Sequence, residues 1–510
     1  MSTRHLNRIA RRYVIVGTLM LSACTVVGPE FEPLSTESEG VWPVAITADL
    51  QPAAPVPVRW WEGFDDPVLN ELVEEARVQN LQVEVAALRV LEARARLAGA
   101  TGLSYPQTQV AVGDATFVSP SESDLLDRLG IGNFWQYSLG ASVTWEADFW
   151  GRYRRGIEAA DASLQASVAA YDQAVVLLTA AVVNTYSAAR EAEEQLRISR
   201  ENEALQQRSY EITQVLYRNG EESELDMQQA LSLLLSTRAT IPPLQTALQQ
   251  ARNALGSLLG RPPGYVEPIL ARGEGLPIVP TEIAIGLPAD MLRRRPDVRQ
   301  AELLAMSQTA VVGIATADLY PSFRLFGALG VSSGGPGNTN FGDMFGSDAI
   351  ALQAGGNFVW PFLNYGRIRN NIRIEDARLQ QALLGYQDTA IQAAREASDA
   401  IAGLTGAREE AQILAAAVAS AQRSSDLSLL RFQDGFSGYQ RVLDAQQRLF
   451  VQQQRYVSNR ASLVRDAVAL YKALGGGWQD RSGLPPVDTE NLDMMRERTD
   501  WGDLLSDETE

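Results

Sequence analysis

In residues 69 to about 99 the apolar side chains of Leu72, Val73, Ala76, Leu81, Val85, Leu88 and Leu91 recur three or four apart with charges between them, which predicts an amphipathic helix. Residues 284–317 predict a second. After each, a Tyr-Pro pair (Tyr105-Pro106, Tyr320-Pro321) marks a change of period, and residues 107–118, 138–149, 322–331 and 351–362 read as four strands. Each has about the 9 to 11 residues that cross an outer membrane. Polar, turn-rich loops separate the strands of each pair. Aromatics crowd the strand ends: Phe134, Trp135, Tyr137, Trp145, Phe149 and Trp150, then Phe358, Trp360, Phe362 and Tyr365. An interfacial girdle explains that placement; the edge of a soluble sandwich with buried aromatics is the other reading.

Residues 152–219 and 367–434 lack proline and carry an apolar stripe throughout, so each predicts one helix, roughly 100 Å long at about 1.5 Å per residue. Each reverses at a glycine, Gly220 or Gly435, and returns as a second helix over about 223–259 or 437–474. Pro242-Pro243 should kink or break the first return; the second contains no proline. The longest mature apolar run, residues 174–183, is too short to span a bilayer as a helix. A bilayer would have to be crossed by strands. Four strands cannot close a barrel, so insertion would require several copies.

Sliding the sequence along itself by 215 residues superposes its halves: Trp145 on Trp360, Gly151-Arg152 on Gly366-Arg367, Leu164-Gln165 on Leu379-Gln380, Gly220 on Gly435 and Gly260 on Gly475. Each half far exceeds a solenoid unit of about 20 to 50 residues, so the chain reads as a duplicated domain. The organisation predicted is a signal at 1–23, a proline-rich tether at 24–67, a first repeat at 68–260, a linker at 261–283, a second repeat at 284–475 and an acidic tail at 476–510.

The amino end carries Arg4, Arg8, Arg11 and Arg12, an apolar stretch at 13–20, and Leu21-Ser22-Ala23 before Cys24. This is a secretory signal, too short to be a spanning helix. Cys24 is the only cysteine of 510 residues. A cleavage site closing on cysteine resembles the lipobox of bacterial lipoproteins; an ordinary signal with a chance cysteine is the alternative. Under the lipobox reading Cys24 is acylated, and Thr25 after it implies sorting to outer membrane lipid. Removing residues 1–23 takes away four arginines, no acid and the only histidine, His5, leaving 40 basic against 62 acidic residues, a balance of −22. So acidic a chain argues against a nucleic-acid role. Without histidine, and with no cysteine beyond Cys24, the mature chain lacks the usual zinc ligands and cannot build a Ser-His-Asp or Cys-His site. No Gly-rich phosphate loop follows a strand. An enzyme is the least supported class.

Along the duplicated frame stand, in order, Cys24-Thr25-Val26-Val27-Gly28-Pro29; Trp60-Trp61 through Phe64, Asp66-Pro67 and Leu69; Leu258-Leu259-Gly260-Arg261-Pro262-Pro263-Gly264; and a run from Leu287-Pro288-Ala289-Asp290 to Arg294-Arg295-Pro296-Asp297-Val298. On these residues the chain resembles the TolC-like outer membrane efflux family, in its lipoprotein branch of OprM/NodT type, over nearly the whole mature length. The resemblance implies a mainly α fold with membrane β: a homotrimer whose four strands per protomer make a twelve-stranded barrel, continued by a long periplasmic α-helical barrel. It implies a passive exit duct for small toxic compounds, docked on a periplasmic adaptor and an inner-membrane pump, with no catalytic cofactor or metal. An exit duct for type I protein secretion and a non-conducting periplasmic scaffold are the alternatives.

The glycine turns locate the candidate working ends. Around Gly220 and Gly435 a tight reversal is needed, and Ser223 or Ser437 can cap the returning helix. A plain helical hairpin accounts for the same residues. That these tips, with Arg218 and Arg431 on the last turns, meet the adaptor is what the resemblance implies. Leu216 stands in the place of Arg431 in the other half. Leu443-Asp444-Ala445-Gln446 resembles the family stretch that places a carboxylate ring at the periplasmic constriction, and three Asp444 carboxylates near one axis would repel anions and attract cations. A solvated helix face, with Asp444 paired to Arg448 or Arg441, is the other reading. Gln440 and Gln447 stand where relatives often carry an apolar and a basic residue, and Asp226 is a further candidate in the first hairpin. Arg293 to Arg295 look like a phosphate clamp, but at a helix start a structural role in salt bridges is preferred.

Overall fold

The computed structural model describes residues 26–33, 50–51, 56–121, 132–286, 294–333, 340–480 and 487–505. Cys24, the candidate lipidation site, lies outside them, as do residues 287–293 with Arg293. In chain order the elements are β1 (Leu50–Gln51), α1 (Pro67–Gln79), α2 (Leu81–Gly102), β2 (Thr108–Val118), β3 (Phe134–Ala147), α3 (Arg152–Asn219), α4 (Glu224–Leu258), α5 (Glu267–Leu270), β4 (Ile283–Ala284), α6 (Pro296–Ala317), β5 (Ser322–Ser333), β6 (Ile350–Val359), α7 (Arg367–Gln433), α8 (Gln440–Ala473) and α9 (Thr489–Arg498). They form two compact units. One combines residues up to 34 with 91–166 and 301–385; the other combines 35–90, 167–300 and 386–510.

The first unit holds an antiparallel sheet of order β2-β3-β5-β6. Side chains alternate across a strand, and the register gathers most of the apolar ones on one face, with Phe326 of β5 and Val110 and Val112 of β2 on the other. Trp135, Tyr137, Leu139, Ala141, Val143 and Trp145 of β3 share a face with Phe323, Leu325, Leu329 and Val331 of β5 and with Ile350, Leu352, Ala354 and Phe358 of β6. The opposite face carries Gln136, Ser138, Ser142, Thr144 and Glu146 beside Arg324, with Gln353 and Asn357 beyond. Most of the apolar face is exposed, Leu352 at 77%, which water would not tolerate over so wide a patch and lipid would favour. Aromatic clusters mark both sheet ends. Phe117, Trp135, Tyr137 and Phe341 contact one another in series at one, while Trp150 stacks on Tyr320 and Phe149 meets Phe323 edge-on at the other. Among the described residues β2 and β6 each have one edge without a partner strand.

The strands differ in extent from the sequence pattern. β3 begins at Phe134 rather than at 138, so Phe134, Trp135 and Tyr137 lie within the strand, held by pairing with β2. The duplication is visible in single bonds: the indole of Trp145 donates to the carbonyl of Ser104 at 3.2 Å and that of Trp360 to Leu319 at 3.1 Å, both pairs 215 apart.

The segment expected to be a loose tether is clasped at its beginning. Val27 N–H donates to the Trp150 carbonyl. Gly28 adopts φ +99, and a Cβ there would lie 2.4 Å from Gly313 Cα, so only glycine fits. The buried Arg155 guanidinium donates to the Val27 carbonyl, Glu30 and Glu158.

In the second unit Trp60, Trp61 and Phe64 form a buried 3-10 turn, with Trp60 stacked on Tyr471 at 4.9 Å and the Arg77 guanidinium over Trp61 at 5.1 Å. The first predicted helix is divided into α1 and α2. Asn80 interrupts it in extended conformation, its side-chain oxygen accepting from the Gln82 and Val83 amides while its NH2 donates to the Leu258 carbonyl. Asp66 likewise caps α1. Of the counterpart predicted at 284–317, Ile283–Ala284 pair with β1 as strand, residues 287–293 lie outside the described residues, and α6 begins at Pro296, 215 beyond the start of α2 at Leu81.

Of the kink or break expected at Pro242-Pro243, the break does not occur: α4 runs through both prolines as one helix. Both are exposed, so the carbonyls left without donors four residues back can turn to solvent. One stretch of α3 is long and apolar enough by composition to span a bilayer, contrary to the reading of the runs alone. More than half of it is buried in the protein, where Val175, Val176, Val182, Val183 and Tyr186 face the core. Arg295 has the structural role expected of it, bonding Asp297, Glu396 and the Ala473 carbonyl from a buried position. The acidic tail folds in part: Val487 is buried, α9 follows, and Asn491 donates to Glu84.

Candidate functional site at the helical hairpin ends

The two reversals have the same construction. α3 ends at Asn219; Gly220 takes φ +74, its N–H donates to the Tyr217 carbonyl and the Glu221 N–H donates to Leu216. α7 ends at Gln433; Gly435 takes φ +74, its N–H donates to Phe432 and the Phe436 N–H donates to Arg431. This left-handed closure satisfies the last carbonyls of each helix, and a Cβ would strain it. Arg218 and Arg431 are exposed on the final turns, where a cation complements the helix dipole. Phe436 at 75% and Leu225 at 66% exposure project beside them.

The returns begin differently. Ser223 caps α4 by accepting from the Asp226 amide at 3.3 Å, and its hydroxyl donates to the Asp226 carboxylate at 2.5 Å. Ser437 does not cap α8. That helix starts at Gln440 with Tyr439 in the capping position, and the Ser437 hydroxyl is buried without a partner. The reason lies in the register: the residue 215 beyond Ser223 is Gly438, which has no side chain to cap with.

Asp444, Gln440 and Gln447 share one exposed face of α8. The Gln440 amide donates to Asp444 at 3.1 Å. Among the described residues neither Arg441 nor Arg448 forms an ion pair with Asp444, so the Gln440 amide is its side-chain hydrogen-bond partner. Asp226 is half-buried and turned to Ser223. Beside it, burial and then the Asp226 charge push the Glu222 carboxyl above the usual carboxylate range. Asp226 therefore does not share the outward setting of Asp444.

Beneath the ends, Ala230, Tyr439, Val442 and Leu443 form a small apolar cluster with Tyr210, Leu233, Leu429 and Phe432, uniting all four helices. Phe432 meets Tyr439 edge-on at 4.7 Å. Burial pushes the Tyr439 hydroxyl up to about 12.

Above this cluster lies a feature the sequence reading missed. Ser199, Asn202, Gln206, Ser209 and Thr213 are all buried on α3, spaced three and four apart where a helix normally places apolar core residues. They face glutamines of α8: Asn202 donates to Gln453 at 2.9 Å, Gln454 to Ser199 at 3.2 Å, and Gln446 to Ser209 at 2.9 Å. The Gln206 amide, 1% exposed, has no partner for either polar atom. A sustained three-four repeat of polar residues was the signal available in the sequence.

A sheet with one exposed apolar face and two open edges, joined in one chain to two long helical hairpins of common construction, defines a duplicated TolC-like outer membrane channel subunit. The outer membrane efflux protein family matches residues 72–261 and 287–476, two copies offset by the same 215, and the chain belongs to it. It is 31% identical over 470 residues to nodulation protein T of Rhizobium leguminosarum bv. viciae, covering 90% of this chain and 92% of that one. It is 30% identical to the pyoverdine export outer membrane protein OpmQ of Pseudomonas aeruginosa, covering 93% and 98%. The solved outer-membrane channel OprN superposes with a TM-score of 0.81 at 30% identity, covering 89% of this chain and 99% of that one. The protein is accordingly an outer membrane efflux channel.

Proposed function

We propose that three copies of the chain form the passive exit duct of a tripartite efflux system in a Gram-negative outer membrane, lipid-anchored at Cys24, receiving small toxic compounds from an inner-membrane pump through a periplasmic adaptor. The sheet carries this reading: its apolar face suits lipid, its polar face suits a water-filled lumen, and its open edges of β2 and β6 require strands from other copies. A relative named for pyoverdine export favours small-molecule cargo over protein.

In this reading Arg218, Gly220 and Ser223 of one hairpin and Arg431, Gly435 and Ser437 of the other form the adaptor-contacting tips. Asp444, with Gln440 and Gln447 on the same face, forms the pore gate, and the inward setting of Asp226 ranks it behind them. Because Asp444 is exposed and makes one exposed hydrogen bond, Asp444→Ala should change protomer stability by no more than about 0.5 kcal/mol. Planar-bilayer recordings should show raised conductance and weaker cation preference. Unchanged closed-state conductance would remove Asp444 from the gate.

A further inference from the structure

The duplication allows the two strand-to-helix junctions to be compared residue by residue. In the first, every arginine at the start of α3 meets acid. Arg152 lies 3.7 Å from Glu146 and 3.6 Å from Asp318, Arg154 lies 3.2 Å from Asp148, and Arg155 pairs with Glu30 and Glu158. A shift of 215 places Arg367 and Arg369 on Arg152 and Arg154, but puts Pro361 in place of Glu146, Leu363 in place of Asp148 and Arg373 in place of Glu158. The second junction has kept two arginines, lost the third to Asn370 while gaining Arg373, and lost three carboxylates while gaining Glu375, which pairs with Arg378.

Arg367, Arg369 and Arg373 are exposed, and among the described residues none forms an ion pair. Arg373 donates to the side-chain oxygen of Asn370 at 3.0 Å. Arg367 borders a cavity of about 260 Å³ that Glu146, Asp148 and Asp318 also line, without reaching them. Immediately before these arginines the chain exposes Trp360, Phe362, Leu363 and Tyr365, the last at 98%. This run continues from the end of β6, whose Leu352, Ala354 and Phe358 belong to the apolar face. Aromatic rings followed by unpaired guanidiniums at the edge of an apolar face match a bilayer boundary, where rings sit at headgroup depth and cations meet phosphate. A second copy pairing along β6 would bring the segment leading into its β2. There α2 carries Arg94 and Arg96 beside Glu92, itself paired with Arg96.

We propose that Arg367, Arg369 and Arg373 form a surface that binds the phosphate headgroups of anionic phospholipid on the helical side of the sheet. This rests on the reading that the sheet crosses the outer membrane. Each arginine near an anionic surface contributes about fivefold in binding.

The test uses the full-length acylated protein, equilibrated with mixed phosphatidylethanolamine and phosphatidylglycerol vesicles, with retained lipid counted by native mass spectrometry. R369Q should lower phosphatidylglycerol retention about fivefold and R367Q/R369Q/R373Q by at least about tenfold. R395Q/R423Q, a charge loss elsewhere on α7, should leave it unchanged. Retention equal to wild type in the triple variant overturns the proposal. So does displacement of the lipid by excess inorganic phosphate, which would mark a free-phosphate site. Dissociation of the variant into single chains also overturns it, by placing the arginines at a junction between copies. Variants that conduct normally in phosphatidylethanolamine bilayers but retain anionic lipid like wild type sink this inference alone, whereas a wild-type protein that neither inserts nor conducts sinks the channel reading.

Discussion

Replacing Gln446 with methionine keeps the length of the side chain and removes both of its hydrogen bonds to Ser209. In the native protein the amide donates to the hydroxyl at 2.9 Å and accepts from it at 3.3 Å, with Gln446 1% and Ser209 4% exposed. The single substitution leaves the serine hydroxyl buried without this partner, at a cost of about 1 to 3 kcal/mol per protomer. Ser209→Ala strands the amide instead, at a similar cost. The double variant strands neither and should return to within about 1 kcal/mol of wild type. Hydrogen exchange of peptides covering residues 205–215 and 440–450 in the intact protein reads the local opening. Each single variant should exchange about 5- to 100-fold faster there, and the double variant nearly at the native rate. Additive single effects in the double variant would refute the reasoning, because they would mean the two side chains are independent despite their geometry.

Gly435→Val forces a branched side chain into φ +74 and should cost about 1 to 2 kcal/mol, seen as earlier thermal loss of helicity. A matching loss for Gly220→Val is expected, since its φ is also +74. Arg155→Ala removes the guanidinium that holds Val27, Glu30 and Glu158, and should expose residues 26–33 to protease while the sheet stays intact. Glu222 binds its proton more tightly in the folded state than when unfolded, so its neighbourhood is most stable below the ordinary glutamate range and loses that stability as pH rises through the raised value. Glu222→Gln should flatten that dependence in hydrogen exchange of the Gly220 turn between about pH 4 and pH 7.

The long helices could be read from sequence because one local property fixes them: proline is absent across residues 152–219 and 367–433, and a three-four repeat runs through both. The turn glycines were legible for a similar reason, since a left-handed φ selects them. Features set by distant partners were not. Asn80 stands inside an apolar stripe, and only its bond to the Leu258 carbonyl shows why the helix divides there. The clasp at Gly28 depends on Gly313 and Arg155, far along the chain. Ser437 looked like a cap because serine often is one, yet the frame puts Gly438 opposite Ser223. The polar column on α3 was invisible as core, since serine, asparagine and glutamine are normally taken for surface.

The open edges of β2 and β6 have a consequence for quality control. A lone chain entering hydrocarbon would present two rows of backbone donors and acceptors to lipid, each unsatisfied group costing several kcal/mol. Partial rings would carry the same penalty at whichever edge stayed open. The bilayer itself thus discriminates against incomplete assemblies, because only a closed arrangement leaves no edge open to lipid.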